Sequence, residues 1–291
     1  MILDNSNCLV VGATNPSSIG FYAACHLLKA GARHVTIVGR DKPKLDESLL
    51  ILSRKIVEMK LTNKSVSGVL GDLKIPETMH GVVEEAKDLM GGIIDILVCC
   101  GANGYSEYLG LDAKDPESYR TMQNVAVLSP MFLAEASFPY LSKSTNEHGG
   151  TVVMVGSVAA DVPWPDTAPY NFAMAAKNTM TQTLAFKYRN DNVRVNGVQA
   201  GIIHTGALEV MARKKNTSVE SYAALRATAQ PLGRNGTPDD VANAVLYLAS
   251  PASGFTTGEL LRVDGGLHLS NWWNQQKMLN QYGGTKKEES K

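Results

Sequence analysis

The sequence predicts an α/β fold: a single doubly wound Rossmann-type domain with a parallel seven-stranded sheet. Three observations carry that expectation. Short β-branched runs recur about every 20 to 50 residues, longer amphipathic segments separate them, and the first run ends in a glycine turn that opens a helix. Strands covered by helices on both faces have no wet side, so they read as unbroken apolar runs rather than as alternating ones. In order, CLVVGA precedes a helix over residues 20–30 that begins near Phe21, HVTIVGR precedes one over 44–60, and SVSGVLGD one over 77–90. DILVCCGA, TVVMVGS, VRVNGVQAG and ELLRVDGG supply the other four strands.

At roughly 150 residues per domain, 291 residues allow one domain or two. No repeat or linker divides the alternation, which places one domain over residues 1–268 and a C-terminal extension over 269–291 with a polar, frayed end. Trp272 and Trp273 in that extension are expected at a subunit contact or, alternatively, over the substrate. With 44% apolar and 19% charged residues the chain can bury a core, and 28 basic against 28 acidic side chains give no field for a nucleic-acid backbone. The longest apolar runs, such as residues 93–100, fall well short of the roughly 20 that a bilayer span needs, and no basic stretch precedes an apolar one at the N-terminus. Cys8, Cys25, Cys99 and Cys100 lack the spacing of a metal or redox motif, so they read as reduced thiols of a cytoplasmic protein with no metal.

Gly12-Ala-Thr-Asn-Pro-Ser-Ser-Ile-Gly20 joins the first strand to the first helix, where backbone N–H groups and the positive helix end can meet a pyrophosphate. The second strand ends at Arg40 instead of an acid. A guanidinium there stacks on adenine and pairs with a 2′-phosphate, which favours NADPH/NADP+; a solvated surface arginine is the alternative. Asp72 either accepts from the adenine amino group or starts the helix in GDLKIPE.

Together with DILVCCGA, Asn124 in MQNV, the separation of 13 between Ser157 and Tyr170, VRVNGVQAGIIHT and TGELLRVDGG, the chain resembles the short-chain dehydrogenase/reductase superfamily over nearly its whole length. The resemblance implies hydride transfer at the C-terminal edge of the sheet. It implies a cofactor site of Gly12, Thr14, Asn15, Ser18, Ile19, Gly20, Arg40, Asp72, Leu73, Gly101, Ala102, Lys177, Ile203 and Thr205, and a homotetramer with two-fold axes. A stripe of Thr179, Met180, Thr183, Leu184 and Phe186 on the Tyr170 helix is expected to lie at the subunit contact.

The usual lysine four residues after the tyrosine is replaced by Met174, and the next one, Lys177, returns to the same helical face about 10 Å along the axis. That Tyr-x6-Lys spacing and the G-x5-S-I-G loop resemble the enoyl-acyl-carrier-protein reductases, although Ala160 stands where those enzymes tend to carry a second tyrosine. Between Ser157 and Tyr170 lies the stiff Pro163-Trp164-Pro165-Asp166 segment, in which Asp166 is either a carboxylate at the substrate or a helix cap. An anion beside an aromatic wall suits a C=N⁺ substrate. The segment resembles the bifunctional reductase/Diels-Alderases of fungal malbrancheamide- and paraherquamide-type indole alkaloid biosynthesis. That resemblance implies NADPH-dependent reduction of an iminium intermediate followed by a guided [4+2] cycloaddition, with Trp164, Pro165, Asp166 and Leu208 on the small-molecule substrate. The competing enzyme is a carbonyl or enoyl reductase using Tyr170, Lys177, Ser157 and Asn124, and the competing non-enzyme is a cofactor-binding regulatory protein.

Overall fold

The computed structural model describes residues 2–3, 5–101, 112–164 and 167–270. Seven strands form one parallel sheet in the order β3-β2-β1-β4-β5-β6-β7, with β1 Asn7–Val11, β2 His34–Gly39, β3 Ser65–Leu70, β4 Ile96–Cys99, β5 Gly150–Ser157, β6 Val193–Ala200 and β7 Leu260–Val263. β1, β4 and β6 are buried throughout, whereas the edge strands β3 and β7 are half-exposed. β1 and β4 keep nearly unbroken apolar runs, as coverage on both faces requires, whereas β6 departs from that expectation with buried Arg194, Asn196 and Gln199, each hydrogen-bonded to a neighbouring segment.

One face carries α1 Ile19–Ala30, α2 Lys42–Glu58 and α9 Pro238–Ala249, which pack Phe21, Leu27, Leu52, Val241 and Val245 on the sheet. The other carries α3 Met79–Leu89, α5 Ser129–Leu141 and α6 Ala168–Lys187, with Val83, Leu133, Met174 and Leu184 in its core. α4 Pro116–Gln123 leads into α5 through a π-turn, Asn124–Leu128, in which the Ser129 N–H donates to the Asn124 carbonyl. Pro130 has no N–H to give and its ring crowds the preceding turn, so the ladder widens there. α7 Gly206–Lys214 and α8 Val219–Ala227 stand between β6 and α9.

Local chemistry sets these boundaries. Ser18 caps α1 by accepting from the Phe21 N–H, so the helix starts at Ile19, two residues before the expected place. Gly31, at φ 115°, ends it in the left-handed conformation that an L side chain resists. A reciprocal Thr237–Asp240 capping box starts α9. The outward stripe of α6 is shifted from the expected one: Met180 and Leu184 are buried in the core, and Phe172, Thr179, Thr183 and Phe186 face out. On a 20-residue helix a one-position error in the facing rotates the stripe by about 100°. Among the described residues no helix is long and apolar enough to cross a membrane.

Candidate active site

The sheet order reverses between β1 and β4, which opens a crevice beyond their C-terminal ends. The loop after β1 forms its floor. Gly12 has φ +83°, and a Cβ on Gly20 would lie 2.5 Å from the Gly12 carbonyl oxygen, so helix and loop meet backbone to backbone. The Ser18 N–H donates to the Asn15 carbonyl, and the Ser17 N–H and hydroxyl both donate to the Asn15 side chain. The first turn of α1 holds no acidic residue, which leaves its positive end for an anion. Across the crevice, Thr205 caps α7, and a Cβ on Gly206 would lie 3.7 Å from Asn15 Nδ2 and 3.8 Å from Ser17 Oγ. Ile203 makes a parallel bridge with Gly236 and fixes the approach of this second loop.

At the far end Thr14 lies where a Cβ on Gly39 would be, 2.1 Å from its methyl group, and Arg40 follows directly. Arg40 is exposed and lines a groove of about 700 Å³ with Asp41, Asp72 and Ile75. Asp41 accepts from the Lys44 N–H as the α2 cap, and Asp72 accepts from the Lys74 N–H in a short turn. Asp72 thus forms a short turn and does not start a helix as one reading expected, because the helical turn that follows begins at Pro76 with Ile75 at its N-cap. Leu73 packs where a Gly101 side chain would sit, within 2.1 Å of that Cβ. A pyrophosphate at α1, a nucleoside under Leu73 and Gly101, and a phosphate beside Arg40 all fit these residues. Ala102 lies outside the described residues.

Lys177 comes from the middle of α6 and is only 1% exposed. Its ammonium donates to the carbonyl oxygens of Val155 (3.1 Å) and Gly101 (3.4 Å), at the ends of β5 and β4. Burial, set against weaker opposing effects of Cys99 and Cys100, lowers its pKa to about 8, while burial pushes both thiols up to about 12. Met174, three residues earlier, is completely buried in the core, so the position four after Tyr170 presents no polar group. Tyr170 is partly buried against that same core in the first turn of α6.

Ser157 ends β5 and accepts from the Ala159 N–H. The Asn124 amide donates to the Lys74 carbonyl, 3.0 Å away. Trp164 is fixed through its carbonyl, which accepts from the Thr167 N–H and hydroxyl and from the Asn171 amide. Pro165 and Asp166 lie outside the described residues, and Thr167 holds the N-cap position of α6 without a side-chain cap. Leu208 is buried with Ala212 and Tyr222 in a small cluster between α7 and α8. Two arrangements escaped the sequence. Gln199 donates to Asp161, which also accepts from Arg262 and ties the turn after Ser157 to the sheet edge. Arg226 of α8 lies over the Trp164 ring at 4.5 Å. Neither has a local signal, because the partners are 38 to 101 residues apart.

A family model described as enoyl-(acyl carrier protein) reductase matches residues 12–268. Dehydrogenase/reductase SDR family member 4 of Bos taurus is 32% identical over 269 residues, 91% of this chain and 88% of that one. The solved structure of L-sorbose reductase from Gluconobacter frateurii, complexed with NADPH and L-sorbose, is 25% identical with a TM-score of 0.78, covering 91% of this chain and 97% of that one. An NADPH-bound short-chain oxidoreductase from Pseudomonas aeruginosa PAO1, containing an atypical catalytic center, is 25% identical with a TM-score of 0.76, covering 91% and 98%.

Proposed function

The chain belongs to the short-chain dehydrogenase/reductase family, and on that premise we propose that it is an NADPH-dependent reductase of a polarised C=O or C=C bond in a small molecule, working through Tyr170 and Lys177. The observation that carries this reading is the Lys177 ammonium hung between the Gly101 and Val155 carbonyls. An ammonium has three donors, and these carbonyls take two, which leaves one for a ribose hydroxyl above the strand ends. NADPH, when bound, supplies the hydride. Arg40 pairs with its 2′-phosphate, and the Gly12–Gly20 loop and Gly206 flank the pyrophosphate. Tyr170, seven residues and about two turns before Lys177 on the same helical face, gives its hydroxyl proton to the oxygen or carbon that becomes negative as hydride arrives.

A second reading, reduction of an iminium ion followed by a guided [4+2] cycloaddition, is favoured by the apolar burial of Met174, since hydride addition to a cation needs no acid. Against it, Arg226 already covers a face of Trp164 with a like charge. Substitution separates the two. On a carbonyl or enoyl substrate, Tyr170→Phe should lower the single-turnover rate of NADPH oxidation by about 10²- to 10⁴-fold while Asp166→Asn changes it little. If Asp166→Asn is instead the more damaging, by about 30-fold or more, the iminium reading replaces this one.

The outward stripe of α6, with Phe172 64% and Phe186 70% exposed, supports a homotetramer. Light scattering at micromolar concentration should return four times the chain mass, and a monomeric mass sinks the assignment.

A further inference from the structure

We propose that Arg226 is the recognition residue for a carboxylate on the substrate, an inference that rests on the reductase reading and names its substrate class. The Arg226 guanidinium carbon is 4.5 Å from the centre of the Trp164 ring and 6.0 Å from that of Tyr222. Trp164 stands on the segment between Ser157 and Tyr170, and Tyr222 is buried on α8, so two separate elements hold the guanidinium plane. A cation held over a ring is attracted through its charge and spends none of its N–H donors, so the rigid fork of the guanidinium stays available.

Among the described residues no carboxylate or carbonyl accepts from Arg226, although the side chain is half-buried. Arg226 contrasts with three other arginines. Arg194, buried on β6, gives its donors to Leu248, Ser250 and Ser253, and even the exposed Arg234 and Arg262 are paired, with Asp240 and Asp161. Two acids of the adjoining segments are engaged elsewhere, Asp161 with Arg262 and Gln199 and Asp264 with His268 and the Gly266 N–H, and among the described residues no acid pairs with Arg226. A guanidinium drawn out of water with its fork unmatched gains most from a bidentate anion, whose charge and two parallel acceptors fit the donor edge. Its station beside Trp164, on the segment that leads from Ser157 to Tyr170, sets that anion at the substrate end of the crevice rather than at the nucleotide end.

The test is calorimetric titration of the NADPH-loaded protein with phenylacetate and with its neutral isostere phenylacetamide. Phenylacetate should bind at least about tenfold more tightly. Arg226→Gln should erase that difference with NADPH affinity unchanged, and Arg226→Lys, which keeps the charge without the fork, should keep part of it if the Gln variant fails to fold. Equal binding of the two probes, no phenylacetate binding up to about 10 mM, or a preference that survives Arg226→Gln overturns the proposal. So does a preference that emerges only in Asp166→Asn, because Asp166 would then be the partner of Arg226. A protein that binds phenylacetate through Arg226 but not NADPH refutes the reductase reading alone.

Discussion

The nucleotide half of the crevice, β1 to β4 with α1 to α3, and the substrate half, beyond β5 and β6, are built on different terms. In the first, close approaches to glycine do the work, to backbone at Gly12 and Gly20 and to the Thr14 and Leu73 side chains at Gly39 and Gly101. Gly12, Gly20, Gly39 and Gly101 each stand where a Cβ would meet another chain segment within about 3 Å, and Ser18 closes the loop onto α1. In the second, side chains on connecting segments do it. Leu208 and Tyr222 form one small cluster with Ala212, while Trp164 bridges a second one, of Val158, Ala229 and Leu267, to the large core beneath α6, and Arg226 lies over the Trp164 ring. The contrast teaches where change is tolerated: the cluster of Leu208, Ala212 and Tyr222 can be repacked for a new substrate away from the sheet, whereas the backbone contacts of Gly12 and Gly20 leave the pyrophosphate loop no slack.

The largest expected effect lies on the rigid side. Gly20→Val drives a branched side chain into the Gly12 carbonyl, and backbone cannot swing aside as a side-chain tip can. NADPH affinity by fluorescence titration should fall by at least about 100-fold, a loss of roughly 3 kcal/mol. A variant that binds normally would show the loop to be as adaptable as the substrate half.

Lys177 joins the halves and comes next. Burial lowers its pKa to about 8, so below that pH the folded protein bears the full cost of a buried charge. Between about pH 8 and 10.4 the unfolded chain holds the proton that the folded one has released, so the contribution of Lys177 to stability rises with pH in that window, by about 3 kcal/mol in all, while the buried Cys99 and Cys100 thiols, which ionise more readily on unfolding, contribute in the opposite sense. Urea unfolding at pH 7.5 and 9.5 should show the wild type gaining stability relative to Lys177→Met, the thiols acting alike in both proteins, and an unchanged difference between the two would show that Lys177 carries no such cost. Over the same range the reduction rate should decline as pH passes about 8 and the ammonium loses its proton; a flat rate profile would remove Lys177 from the chemistry.

Arg40→Ala is the smallest, because Arg40 is exposed and acts through one local charge. It should weaken NADPH by about 1 to 3 kcal/mol and leave NADH nearly unchanged. Equal losses for both cofactors would mean that Arg40 shapes the groove instead of pairing with a phosphate.

Much of the candidate site was legible because its signals are local. A strand that runs into Gly12 and then Ser18 at a helix start declares its turn within about ten residues, and a buried parallel strand declares itself by an unbroken apolar run. What was misjudged depended on which way a side chain turns: Met180 and Leu184 face inward where the stripe of α6 was expected to face out. Nor does any local signal show that Asn124 sits in a π-turn with its amide on the Lys74 carbonyl, or that Leu208 packs between α7 and α8.

By itself, then, the sequence determined the order and nature of the strands, the glycine turn, the place of Arg40 and the separation of Tyr170 from Lys177, since each follows from sterics or periodicity along one stretch of chain. Tertiary structure alone decided that Lys177 would hang between carbonyls 22 and 76 residues away and that Arg226 would lie over the Trp164 ring. Desolvation and stacking depend on what the fold brings alongside a residue, and residues distant in the chain become neighbours only when the sheet and its two helical layers have closed.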